Sequence, residues 1–179
     1  MTLTTPTNKV LVQGEPLTDD KLIETVTSMY PGRLVTAGTS DHQIVVNTAN
    51  NPPLGWLGYD GAAAGVKPDT VDTIYTAVVA PILYGGGFTI NGRLANGQNV
   101  SIGDLLCPAA SGELTAATTL VGTVTIASGS TAVLSDKVQP DESVVFGGAL
   151  PTQGMVVAQA MESVNASGGA ADIMVKSLI

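Results

Sequence analysis

Asp104 and Glu113 flank the chain's only cysteine, Cys107, within NVSIGDLLCPAASGELTAA at residues 99–117. Two carboxylates are the usual equipment of general acid–base chemistry, and a thiol becomes a nucleophile once its pKa is lowered. Here Pro108 follows the cysteine, and no basic residue stands close in sequence to favour a thiolate. Val100 and Ile102 alternate with polar neighbours, Gly103-Asp104 bends the chain, and Leu105-Leu106-Cys107 is an apolar run. Ser111-Gly112 then turns it back into Glu113-Leu114-Thr115-Ala116. The stretch reads as strand, loop and returning strand. Both acids fall near turns, where polar side chains satisfy backbone donors.

The remaining candidates for chemistry are scattered. His42, the single histidine, lies beside Asp41 in TSDHQ. An Asp-His pair can tune a proton, but no serine or cysteine nucleophile motif accompanies it, and an exposed turn is expected. Gly85-Gly86-Gly87 follows an apolar run, as a phosphate-binding loop does. Such a loop needs a following helix and usually a lysine. FTINGRL is strand-like instead, and the next base is Arg93. The acid pairs Asp19/Asp20, Asp69/Asp72 and Asp141/Glu142 lack the spacing of a calcium loop and read as solvated charge. Trp56, the one tryptophan, sits in PPLGWLGYDG with Tyr59 three residues on. It reads as a core anchor ahead of an interface hot spot. The sequence therefore predicts no catalytic, cofactor-binding or metal-ligating residues and a chain that is not an enzyme.

The elements that carry these residues are mostly strands. A chain of 179 residues fits one domain, or one domain with an arm. Residues 1–17 read as a Thr/Pro-rich arm whose VLV run at 10–12 can add a strand to a neighbouring subunit. TDDKLIETVTSMY, residues 18–30, is the one helix candidate. Thr18 can cap it, Asp19 and Asp20 suit its first turn, and Leu22, Ile23, Val26 and Met29 make one apolar face before Pro31-Gly32. After that GRLVTAG, IVVNTA, LGWLG, TIYTAVVAPILY and FTINGRL are short β-type runs. Asn91-Gly92, Asn96-Gly97, Ser111-Gly112 and Gly168-Gly169 read as turns between such runs. The class predicted is mainly β: a small barrel or sandwich over residues 31–179, behind an arm and short helix at residues 1–30.

The pattern also hints at duplication. PGRLVTAGTSDHQIVV at 31–46 runs in the same order as the opening stretch: glycine, apolar pair, small residues, polar turn, then a returning run. Each copy is followed by a Gly-led apolar segment, GWLGYDGA at 55–62 and GMVVAQAMES at 154–163. Two related β units are implied, the second carrying a long Thr/Val-rich insertion at about 118–150.

Composition narrows the function classes. Charged residues are 12% of the chain, about half the usual share, and 44% are apolar, which is no disordered composition. The net charge is −8, and the seven bases are dispersed, so no basic stripe awaits nucleic acid. One cysteine excludes an internal disulfide and a cysteine-based zinc cluster. The longest apolar stretches are far short of a membrane span, and the first residues do not read as a secretory signal.

Taken in order, PGRLVTAGTSDHQI, PPLGWLGYDGA, NVSIGDLLCPAASGELTAA and GMVVAQAMESVNASGGAADIMVKSLI resemble the head decoration (capsid cement) proteins of tailed phages. The resemblance rests on a GD-x-[LV] hairpin, here Gly103-Asp104-Leu105-Leu106, ahead of a polar turn. It rests also on an ending formed by Gly154, Val156, Val157, Ala158, Ala160, Glu162, Ala166, Gly168, Gly169, Ile173 and Val175. The insertion and the N-terminal helix depart from the family's pattern. The resemblance implies a non-enzymatic β-barrel on the capsid exterior, made in the host cytoplasm. Its partners would be the major capsid protein and neighbouring copies of itself, as a homotrimer, with no direct nucleic acid and no membrane. The alternative is a β-barrel binding module of a tail, fibre or adhesin that uses Trp56, Tyr59 and Tyr84 as a glycan platform.

Overall fold

The computed structural model describes residues 10–27, 29–49, 51–58, 74, 78–117 and 156–179. They form a mainly β molecule with a single 3₁₀ turn at Ala110–Gly112. The Thr/Val-rich insertion, most of the arm, Tyr59, Asp69/Asp72 and Asp141/Glu142 lie outside the described residues.

The chain first lays down β1 (Leu11–Gln13), then β2 (Leu17–Ile23), β3 (Leu34–Ala37), β4 (Gln43–Val46), β5 (Gly55–Leu57) and β6 (Val79–Tyr84). Strands β2 to β6 close a barrel in the order β2-β4-β3-β5-β6. Only β2–β4 is a parallel pair. Alternation along β2 turns Asp19, Lys21 and Ile23 to the inside and Thr18, Asp20 and Leu22 to the outside.

The helix expected over residues 18–30 is not formed. Residues 17–22 pair with β6 along the whole strand, and Leu22 and Ile23 pair with β4. The ladder and barrel closure outweigh a helical periodicity that one short segment could not stabilise alone. The supposed apolar face is split accordingly, with Ile23 and Met29 buried but Leu22 and Val26 exposed. The barrel consequently begins at Leu17. The VLV run is not a free arm either: β1 lies antiparallel on the chain's own later strand, Leu11 opposite Ile90, with a bulge before Gln13.

After Gly85–Gly87 come β7 (Thr89–Leu94), β8 (Asn99–Val100), β9 (Leu105–Pro108), β10 (Leu114–Ala116), β11 (Ala158–Ala160), β12 (Val164–Asn165) and β13 (Ala171–Ser177). The order β7-β10-β9-β11-β13 closes on itself through β13–β7, with β1 added to β7. The pair β8–β12 stands beside it.

This second barrel repeats the first strand for strand. β7, β9, β10, β11 and β13 occupy the places of β2, β3, β4, β5 and β6, including the parallel pair, now β7–β10. The registers agree. Ile23 faces Ile44 as Leu94 faces Leu114, Leu34 faces Trp56 as Leu105 faces Gln159, and Leu57 faces Ile82 as Ala160 faces Val175. Bonds outside the ladders repeat too. Gly32 N–H donates to the Leu57 carbonyl as Gly103 N–H does to Ala160, and Gly58 N–H donates to Pro81 as Met161 N–H does to Met174. The glycine opening each hairpin has positive φ, +78° at Gly32 and +93° at Gly103. The duplication hinted at by the hairpin sequences is thus a full five-strand repeat.

One core runs through both barrels. Trp56 leaves β5 of the first barrel, and its Nε1–H donates to Ser177 Oγ of the second at 3.0 Å. Arg33 Nη1 donates to Glu113 Oε1 at 2.6 Å, and Gly112 N–H donates to the Asn47 carbonyl at 2.8 Å. Asn91-Gly92, read as a turn, lies inside β7. A Cβ at Gly92 would stand 3.2 Å from Leu114 Cδ1 and 3.3 Å from Trp56 Cζ3, so glycine there admits the indole and does not turn the chain.

Candidate functional site

The described surface offers two places where the first barrel departs from its repeat. The first is its mouth. Asp19 and Lys21 from β2, Gly38–Gln43 from the β3–β4 hairpin, Leu54, and Ile82 and Tyr84 from β6 line a cleft of about 490 Å³. Register places Asp19 beside Ile82 and Lys21 beside Ala80, on the inner side of the wall. Lys21 Nζ stands 2.5 Å from Asp19 Oδ2. The Lys21 ammonium donating to Asp19 holds its carboxyl below the usual carboxylate range. In the second barrel the matching positions are Ile90, Gly92, Val157, Val175 and Ser177. There the chain is closed: Ile90, Val157, Val175 and Ser177 are fully buried, and the Trp56 indole fills the mouth.

The second place is the outer wall. Leu22 on β2 pairs directly with Val79 on β6, and each is 42% exposed. The matching pair in the second barrel is Arg93 and Asp172, joined at 2.7 Å. Val26 and Val78, beyond the strand ends, are also exposed. A polar, ion-paired position in one copy is thus a solvent-facing apolar position in the other.

The residues weighed in the sequence do not converge on a reaction centre. Asp104 Oδ2 accepts the Ser101 N–H at 2.8 Å, the turn role expected of it. Glu113 does not serve its turn: it is held by Arg33, whose guanidinium also lies 5.5 Å from the Tyr30 ring centre. Cys107 is buried, and burial pushes its thiol pKa up, away from a reactive thiolate. His42 is exposed at the hairpin tip with φ +64°. Asp19 and Asp20 point to opposite sides of β2. Gly86 and Gly87 N–H groups donate to the carbonyls of Ile179 and Ser177 at 2.7 and 2.9 Å, so they are not turned to an anion. Trp56 is fully buried, which removes it from any glycan platform. Among the described residues, no three His, Cys, Asp or Glu side chains come together. None of the described helices is long and apolar enough to cross a membrane.

Sequence reasoning missed the cleft and the Leu22–Val79 pair. Only the duplication could have exposed them, by aligning β2 with β7 and asking why Ile90 became Asp19. Comparison with known protein families and with curated proteins finds no match to this chain.

Proposed function

We propose that this chain is a structural virion protein. It binds the outer surface of an icosahedral capsid and cements contacts between major capsid protein subunits, as the decoration proteins it resembles do. The observation that carries the reading is the Leu22–Val79 pair. One of two matching walls carries a partly buried ion pair, and the other presents exposed apolar side chains. An exposed apolar position maintained against a polar counterpart suits a protein partner. The placement of the resembling motifs supports it further. Gly103-Asp104-Leu105-Leu106 opens the β9–β10 hairpin, and the C-terminal segment supplies β11 to β13.

The mode of action is thermodynamic, not catalytic. A ligand that binds the assembled shell and not free capsid subunits stabilises the shell by mass action. The two barrels share one core, so the load passes through a continuous body. Low charge limits repulsion between many copies on one surface. Homotrimers, the capsid exterior and an absence of nucleic-acid, membrane and cofactor contacts belong to the same proposal.

The test is co-sedimentation with shells assembled without this protein. Saturable occupancy that raises the shell's melting temperature supports the proposal, and no association contradicts it.

A further inference from the structure

We infer that the mouth of the first barrel is a binding site for a neutral saccharide ring. This goes beyond capsid binding and would operate on a different face of the chain. The second barrel shows what its own mouth needs in order to close: apolar walls at Ile90, Val157 and Val175, and a flat ring, the Trp56 indole, bonded at its edge to Ser177. The first barrel keeps the same backbone registers and opens a cleft of about 490 Å³ at the matching place, but no indole enters it. Gln159 stands where Trp56 stands in the repeat, and its Nε2 donates to the Gly103 carbonyl at 3.1 Å.

The side chains that remain describe the occupant. Ile82, Leu54 and Tyr84 among the lining residues offer apolar contact, as the C–H face of a sugar ring requires. Asp19, Lys21 and Gln43 provide an acceptor, a donor and an amide around that floor, for hydroxyl groups at the ring's edge. An indole has one polar edge and would leave the Asp19–Lys21 pair desolvated without compensation, so the hydroxyl-rich ring fits better. Among the described lining residues two carboxylates, Asp19 and Asp41, stand against one ammonium, Lys21, which disfavours anionic ligands such as phosphates and acidic sugars. The Asp19–Lys21 pair stands open to solvent at the mouth, with the Asp19 side chain 46% exposed, so its polar atoms are free to meet a ligand, and Ile90 and Gly92 at the matching places show that the fold does not require it.

The experiment is a titration of the full chain with methyl glycosides of glucose, galactose, mannose and N-acetylglucosamine, followed by amide chemical shifts. Methyl indole and a sialoside are run beside them. The expected result is saturable shifts for at least one neutral glycoside, centred on Lys21, Gln43 and Tyr84. Asp19→Ile, which installs the repeat's own residue, should weaken binding at least tenfold with an unchanged melting temperature. Lys21→Met gives a second variant should the first fail to fold. The inference is overturned by the absence of saturable shifts across the neutral panel, by undiminished binding in both variants, or by saturation with methyl indole alone. Because the free chain is used, none of these outcomes bears on shell binding.

Discussion

Single residues show how closely the two barrels are fitted. Trp56 fills the second barrel from the first, so Trp56→Ala should cost about 3–5 kcal/mol, the usual loss for a fully buried tryptophan. Urea unfolding measures it. Two glycines of equal φ, +78°, separate backbone strain from close packing. A Cβ at Gly87 meets nothing within 4 Å, so Gly87→Ala should cost only the left-handed penalty of about 1 kcal/mol. A Cβ at Gly32 collides with the Asn91 carbonyl, so Gly32→Ala should cost several times more or prevent docking of the barrels. Cys107 gives a pH dependence of known sign. Its folded pKa is raised, so the folded state holds the thiol proton more tightly. The associated stability is intact below the unfolded thiol's value of about 8.5 and falls as pH rises above it. Cys107→Ala should abolish that component of the alkaline fall in the denaturation midpoint.

At the scale of elements, the strands explain what the sequence disclosed and what it withheld. The two hairpins were legible because polar turns and returning apolar runs recur in the same order around Gly32 and Gly103. Strand β2 was not, since Leu22, Ile23, Val26 and Met29 satisfy a helical period locally, and only pairing with β4 and β6 decides between the two. Asn91-Gly92 misled for a related reason: the glycine answers to an indole arriving from a strand distant in sequence. The cleft was illegible because register, not composition, turns Asp19 and Lys21 inward. The arm can be tested at this scale. Removing residues 1–9 should leave both barrels folded. Removing residues 1–13 also takes away β1 and the buried Val10, and should lower the melting temperature. Equal melting temperatures for the two truncations would show that β1 adds nothing to the second barrel.

For the whole molecule, the decisive feature is that two copies of one barrel have been given different surfaces. The shared core and the Arg33–Glu113 bridge predict that the barrels unfold together. Breaking that bridge with Arg33→Ala should cost about 2 kcal/mol, in the range for a charge-assisted hydrogen bond. Two resolved calorimetric transitions in the native chain would contradict a common core. The outer wall separates the proposed capsid contact from general stability. Leu22→Arg with Val79→Asp transplants the second barrel's own ion pair onto the first, so the fold should tolerate it. The most direct measurement is therefore the occupancy of undecorated shells by the native chain and by this double variant, read by co-sedimentation. Saturable binding by the native chain, weakened at least tenfold in a variant with unchanged melting temperature, is the predicted result. No binding by the native chain would contradict the structural virion assignment, and full binding by the variant would remove the Leu22–Val79 wall from it.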